Sequence, residues 1–228
     1  GFATVGPAED LPVIATERLG PLLLAAIAPR WSLREAIGAA WERVVPLIER
    51  ESVAVEGCAY DLEVAWTSYV ENYLEGLHIP FVHPALARAI GGYSVEVLPG
   101  AVLQVAEDAG GVAFEGEDEH AGVGRRVAAY YLYLFPDLML NVYPWGLSLN
   151  HVHVLGPRRT RVQYRTWVAR PELVGVGAGG DVAGVEAEDQ AVLRRLEPES
   201  RLHRPGRLAD GAEDGVAAFR GWLVDDRR

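Results

Sequence analysis

The chain contains no lysine: all 21 of its basic residues are arginine. Cysteine occurs once, at Cys58, which excludes an intrachain disulfide and makes a reducing, cytoplasmic setting the expectation. Long hydrophobic runs are missing as well. No stretch approaches the ~20 apolar residues of a membrane span, and Leu22 to Ala28 is too short for one and lacks the basic flank of a signal peptide. Positive charge is scarce, because 32 acidic residues outnumber the arginines and leave a net charge of −11. That balance argues against nucleic acid, since phosphate contacts need a basic face. No glycine-rich loop matches a phosphate or dinucleotide site either. With 228 residues, 50% of them hydrophobic and 23% charged, the chain suffices for one substantial domain with a large core.

The informative stretch runs from Trp66 to Pro84, WTSYVENYLEGLHIPFVHP. Trp66, Tyr69, Val70, Tyr73, Leu74 and Leu77 recur at helical steps and form one apolar stripe. Glu71, Glu75 and His78 fall on another face, so the Glu75 carboxylate can lie beside the His78 ring and fix its orientation. On an unbroken helix His78 and His83 would point roughly 140° apart, too divergent for one metal. Pro80 is expected to break the helix at Ile79 and start an irregular turn, and Pro84 to constrain the chain again after the second histidine. The acidic cluster Glu186, Glu188 and Asp189 can add a carboxylate. Two imidazoles and one carboxylate on one face of an iron(II) ion leave positions open for oxygen, the arrangement of non-haem iron oxygenases.

These residues resemble the catalytic domain of the Rieske non-haem iron oxygenases, the ring-hydroxylating alpha-subunit family. The pattern appears as Ala65-Trp66-Thr67, Glu71-Asn72, Glu75, His78 and His83; Ala65 and Thr67 replace the family's Asn and Lys. Further on, Leu134-Phe135-Pro136-Asp137, Glu188-Asp189, and Arg204-Pro205-Gly206-Arg207 resemble the family's Phe-Pro strand start, Glu-Asp helix and Pro-Gly-Arg turn. Arg194 and Glu197 stand where the family often has Glu and Gln, and Phe219-Arg220 where it has Phe-His. The likeness covers most of the chain from about Leu11 onward.

The resemblance implies mononuclear Fe(II) held by His78, His83 and Asp189. It further implies that Glu75 links a neighbouring subunit's Rieske histidine to His78, usually within a homotrimer, with Asn72 close by. The implied reaction is O₂-dependent hydroxylation or oxidative demethylation of a small organic, for instance aromatic, substrate. A Rieske [2Fe–2S] cluster needs two Cys and two His ligands, and Cys58 is alone, so these residues cannot hold one. Either a Rieske domain has been removed or lost, or a separate donor supplies the electrons, a Rieske protein or a ferredoxin and reductase. The opening Gly1-Phe2, rather than Met, favours a fragment or processed chain. A rival reading is a helix-grip small-molecule-binding protein, with or without metal, that has lost oxygenase activity along with the Rieske domain.

Elsewhere, Ser32 and Glu35 read as the capping box of a helix over 32–50, bent at Pro46. Strands are predicted at 93–98, 101–106, 111–115, 127–135, 138–143, 147–155 and 160–169. Turn signals such as Pro99-Gly100 and Gly156-Pro157 make their sheet antiparallel. The glycine-rich run 175–180 reads as a mobile loop before the Asp189 helix, and Asp210 with Glu213 opens a final helix carrying Val216, Phe219 and Leu223 inward. Strands followed by closing helices read as α+β. The resemblance implies a helix-grip fold, in which a curved antiparallel sheet wraps a long C-terminal helix and leaves an apolar cavity. One catalytic domain is expected over 1–228: a post-Rieske linker and first strands over 1–30, the helical ligand region over 31–92, the sheet over 93–170 and the closing helices over 181–228. His151 and His153 share a strand face with Leu147, Leu149 and Leu155, so they read as core or cavity-lining residues before metal ligands. His120 is expected in solvent, His203 in a structural turn, and Cys58 as a small buried apolar residue.

Overall fold

The computed structural model describes residues 14–116, 126–196 and 207–225. His120, Glu197, His203 and the Arg204-Pro205-Gly206 turn lie outside them. The chain begins with a hairpin, β1 (Ala15–Leu19) and β2 (Leu22–Ala26), then α1 (Leu33–Ile37) and α2 (Trp41–Ile48). Next come β3 (Val53–Leu62), α3 (Trp66–Leu74), α4 (Ile79–Val82) and α5 (Pro84–Ala89). Six strands follow in succession: β4 (Ile90–Val97), β5 (Ala101–Asp108), β6 (Val127–Leu134), β7 (Leu138–Tyr143), β8 (Gly146–Gly156) and β9 (Arg159–Val168). Helices α6 (Val182–Leu196) and α7 (Asp214–Asp225) close the chain.

Strands β3 to β9 form one antiparallel sheet of order β3-β9-β8-β7-β6-β5-β4, curled into a half-barrel. Each strand from β4 to β9 pairs with its neighbour in sequence, whereas β3 pairs with β9 at the far edge. Residues 63–89 must therefore cross the sheet from the β3 edge to the β4 edge. His78 and His83 lie on that crossing, which is why a local break in this stretch lands over the sheet.

Pairing register sorts the side chains by face, since alternate residues of a strand point opposite ways. Leu132, Leu140 and Leu149 stand in one row, and Tyr130, Val142, Leu147 and Trp167 in the next. These residues pack against Ile37, Val44, Val45 and Ile48 of α1 and α2, and against Leu19. On the opposite face the rows read Gln104, Tyr131, Asn141, Ser148 and then Tyr133, Met139, Asn150, Tyr164. There Tyr133 and Met139 join Tyr69, Val70 and Leu74 of α3, Leu193 of α6, and Val216 and Phe219 of α7. Of the expected inward residues of the last helix, Val216 and Phe219 are buried and Leu223 half-buried, and Ala209 N–H donates to Glu213 at its start.

Several expectations need correction. The capping box of Ser32 and Glu35 forms, but the helix is interrupted at Gly38, whose φ of 51° favours glycine, and not at Pro46, which α2 carries. Residues 53–62, within the region 31–92 expected to be helical, form the edge strand β3. Residues 111–115 are not a strand. Asp108 Oδ1 accepts from the Gly110 and Gly111 N–H groups and turns the chain there. The run 175–180 is exposed at Gly175 and Val176 but packed beyond them: Ala178 and Gly179 are buried, and Trp145 Nε1 donates to the Gly179 carbonyl at 3.1 Å. Cys58 is exposed, because β3 is an edge strand. His151 and His153 lie on the α1–α2 face, half-exposed and away from the cluster described below.

Candidate metal centre

Helix α3 buries Tyr69, Val70 and Leu74, as its stripe requires, but it stops before the histidines. Glu75 is already extended (φ −110°, ψ 142°), and at Gly76 a Cβ would come within 2.6 Å of the Tyr93 ring. Only glycine lets the backbone pass Tyr93, so the break falls here rather than at Pro80. Both prolines instead sit in the first turns of short helices, Pro80 in α4 and Pro84 in α5, where a missing N–H costs nothing. The extended Glu75 then folds its carboxylate onto the turn it created. It accepts from the N–H of Leu77 at 2.6 Å and of His78 at 3.2 Å, and from His78 Nδ1.

His83 joins α4 to α5 and is 1% exposed. Its Nδ1 donates to Glu188 at 2.8 Å, so Glu188 does for His83 what Glu75 does for His78. With Nδ1 carrying the proton in both rings, each Nε2 presents a lone pair. Those two atoms stand 3.1 Å apart, and Asp189 Oδ1 lies 3.0 Å from His83 Nε2 and 3.5 Å from His78 Nε2. Asn72 Nδ2 donates to the same Asp189 oxygen at 2.8 Å, which orients it. Three electron-rich atoms facing one another repel unless something positive sits among them.

The donor set fits a metal ion. Facial ligands about 2.1 Å from one ion stand roughly 3.0 Å apart, close to the spacing observed. All three atoms lie within 4.8 Å of one another, the only such group among the described residues. Without a metal the same geometry captures a proton. Burial opposes charge on His78, but Asp189 and Glu75 outweigh it and push the imidazole up to about 9. Burial would raise Asp189 too, yet the hydrogen bonds from His78 and His83 hold it at about 2.

Beside the three atoms opens a pocket of about 90 Å³ that is partly open to solvent. Six tyrosines line it, Tyr69, Tyr73, Tyr93, Tyr131, Tyr143 and Tyr164, with Gln104, Asn141, Asn150 and Glu186. The polar groups are tied together. Tyr73 donates to Asn141 Oδ1 at 3.0 Å, Asn141 donates to Ser148 at 3.0 Å, and Asn150 donates to Tyr69 at 2.7 Å and to Glu186 at 2.8 Å. The Tyr164 hydroxyl is buried with no hydrogen-bond partner among the described residues. Glu188, Asn141, Asn150 and Gln104 were not singled out for these roles from the sequence. Their signal was present for the strands: Asn141, Ser148 and Asn150 interrupt otherwise aliphatic segments, and buried polar residues of that kind need partners.

Residues 50–226 match the model of the ring hydroxylating alpha subunit (catalytic domain) family. The chain belongs to this family. Among curated proteins, the choline monooxygenase (chloroplastic) of Arabidopsis thaliana is 31% identical over 109 residues, which is 46% of this chain and 24% of that one. The choline monooxygenase of Spinacia oleracea is 25% identical over 179 residues, 72% of this chain and 38% of its own length. This chain therefore spans well under half of those relatives. Among solved structures, a quaternary ammonium Rieske monooxygenase superposes with a TM-score of 0.72 at 16% identity, over 94% of this chain and 62% of that one. Naphthalene 1,2-dioxygenase from Rhodococcus sp. superposes with a TM-score of 0.66 at 17% identity, over 94% and 66%. The fold is thus that of Rieske oxygenase catalytic domains. Among the described residues no helix is long and apolar enough to cross a membrane.

Proposed function

We propose that this domain is the oxygen-activating half of a Rieske oxygenase, with mononuclear Fe(II) on His78, His83 and Asp189. The carrying observation is the convergence of two Nε2 atoms and one carboxylate oxygen, each imidazole steered by a carboxylate at Nδ1. Iron bound there supplies the activation of O₂ for hydroxylation or oxidative demethylation. The protein's own residues do the rest. Glu75 and Glu188 fix the tautomers, Asn72 holds the Asp189 oxygen, and the tyrosines line the pocket beside it. The sheet and closing helices suit the helix-grip description, with α6 carrying the carboxylate ligand.

The 228 residues contain one cysteine, too few for a Rieske cluster, so the electrons come from a cluster outside them. Glu75 is the group proposed to pass them on. It holds His78 Nδ1, and its side chain is 20% exposed, which leaves it reachable by a Rieske histidine from a neighbouring subunit of a homotrimer. The substrate class proposed is a small quaternary ammonium compound. The choline monooxygenase relatives support this, as does a fold shared with a quaternary ammonium Rieske monooxygenase whose complex with L-carnitine superposes at a TM-score of 0.68. Elemental analysis of anaerobically prepared protein, beside a His78→Ala, His83→Ala double variant, tests the metal assignment. About one iron per chain, absent from the variant, supports it; no iron after anaerobic Fe(II) addition overturns it.

A further inference from the structure

Among the described residues four carboxylates surround the site, and three have work there: Asp189 among the ligand atoms, Glu75 on His78 and Glu188 on His83. Glu186 has no such task. It stands three residues before Asp189 on α6, so the two share a helix face, and it lines the tyrosine-walled pocket. Its partners are the hydroxyls of Tyr60 and Tyr69 and the Asn150 amide, none of them a cation. Among the described residues no arginine lines the pocket. A carboxylate enclosed in this way lacks a hydrogen-bonded cationic partner among the described residues, which buried charges normally have.

We propose that Glu186 is the counter-charge for the ammonium head of the substrate, held between its carboxylate and the faces of the surrounding tyrosines. This rests on the quaternary ammonium reading and adds the residue that enforces it. The hydrogen bonding is what makes the site selective. Three donors already occupy the Glu186 oxygens, so the group, once ionised beside a bound cation, offers negative charge without seeking another N–H or O–H. A trimethylammonium head has charge but no donor and fits that condition. A primary ammonium would bring three N–H groups into a pocket with few free acceptors and would pay their desolvation. Tyrosine ring faces add attraction for a desolvated cation. Burial and, after it, the charge of Asp189 push the Glu186 carboxyl up to about 8, and an arriving cation relieves that penalty. Because Glu186 and Asp189 share a face, a head group held there presents its N-methyl or neighbouring carbon beside the metal ligands.

Calorimetric binding to the anaerobic Fe(II)-loaded protein separates the possibilities. The probes are choline, its uncharged isostere 3,3-dimethylbutan-1-ol, and ethanolamine. The wild type is expected to bind choline at least about tenfold more tightly than either of the others. In Glu186→Gln, with iron content unchanged, the preference for choline over the isostere should vanish. A Glu186→Gln protein that keeps both its iron and its full preference overturns the proposal. So does a wild type that binds choline and the isostere alike, a comparison that needs no variant. Iron content is read separately, so iron-loaded protein that ignores choline refutes the role of Glu186 while leaving the metal centre standing.

Discussion

The two faces of strands β6, β7 and β8 share a backbone and little else. One face carries Leu132, Leu140, Val142, Leu147 and Leu149, all buried against α1 and α2. The other carries Tyr131, Tyr133, Asn141, Tyr143, Ser148 and Asn150, which face the pocket or its flanks. Burying a leucine contributes about 1.5–3 kcal/mol, so the aliphatic face supplies stability without demanding any partner. Each amide or hydroxyl on the other face must be matched, and a missed match costs about 1–3 kcal/mol. The protein tolerates that demanding face because it supports a site. Stability and chemistry are thereby placed on opposite sides of one sheet, less than a strand's thickness apart.

Substitutions can break this division, and the largest effect is expected at the ligands. Asp189→Ala removes the carboxylate that lies against both Nε2 atoms, and iron affinity should fall by at least about 100-fold in anaerobic titration while the fold survives. Next, Leu140→Ala on the aliphatic face should cost about 2–5 kcal/mol in urea unfolding and leave iron stoichiometry unchanged. Loss of iron from a folded Leu140→Ala protein would show that the two faces are coupled.

A smaller effect of opposite sign is expected at Glu186. Its folded pKa of about 8 lies above the usual carboxylate value. The native metal-free state therefore holds a proton that the unfolded chain has released, and stability falls as pH rises from about 4.5 toward 8. Glu186→Gln removes the titration. The metal-free variant should gain on the order of 2 kcal/mol over wild type at pH 8.5 and almost nothing at pH 4.5, read from urea melts at the two values. An equal difference at both would place the cost elsewhere. Smallest is Ser32→Ala, which opens the α1 capping box far from the pocket. It should cost about 1 kcal/mol and change neither iron content nor ligand binding.

How much of this could be read from the residues follows the same division. The capping box, the inward stripe of α7 and the antiparallel succession from β5 to β9 are local patterns, and they were legible. The gathering of His78, His83 and Asp189 was expected from a family resemblance, and the structure brings them together. The route was different: Gly76 breaks the helix because Tyr93 stands in its way, and that contact crosses from α3 to β4. Edge strand β3 escaped for a related reason, since its pairing with β9 spans the whole sheet. Arg220, standing where the family has a histidine, proves to make a two-pronged pair with Glu71, both bonds 2.8 Å, and so ties α7 to α3. The partners of Glu186 come from β3, α3 and β8, which no spacing within one segment reveals.

X-ray absorption at the iron edge, on protein loaded anaerobically with one equivalent of Fe(II), tests the central claim most directly. The account predicts two imidazole nitrogens with oxygen ligands making up the rest, and one imidazole fewer in His83→Ala. Iron surrounded by oxygen alone, unchanged by that substitution, would contradict it.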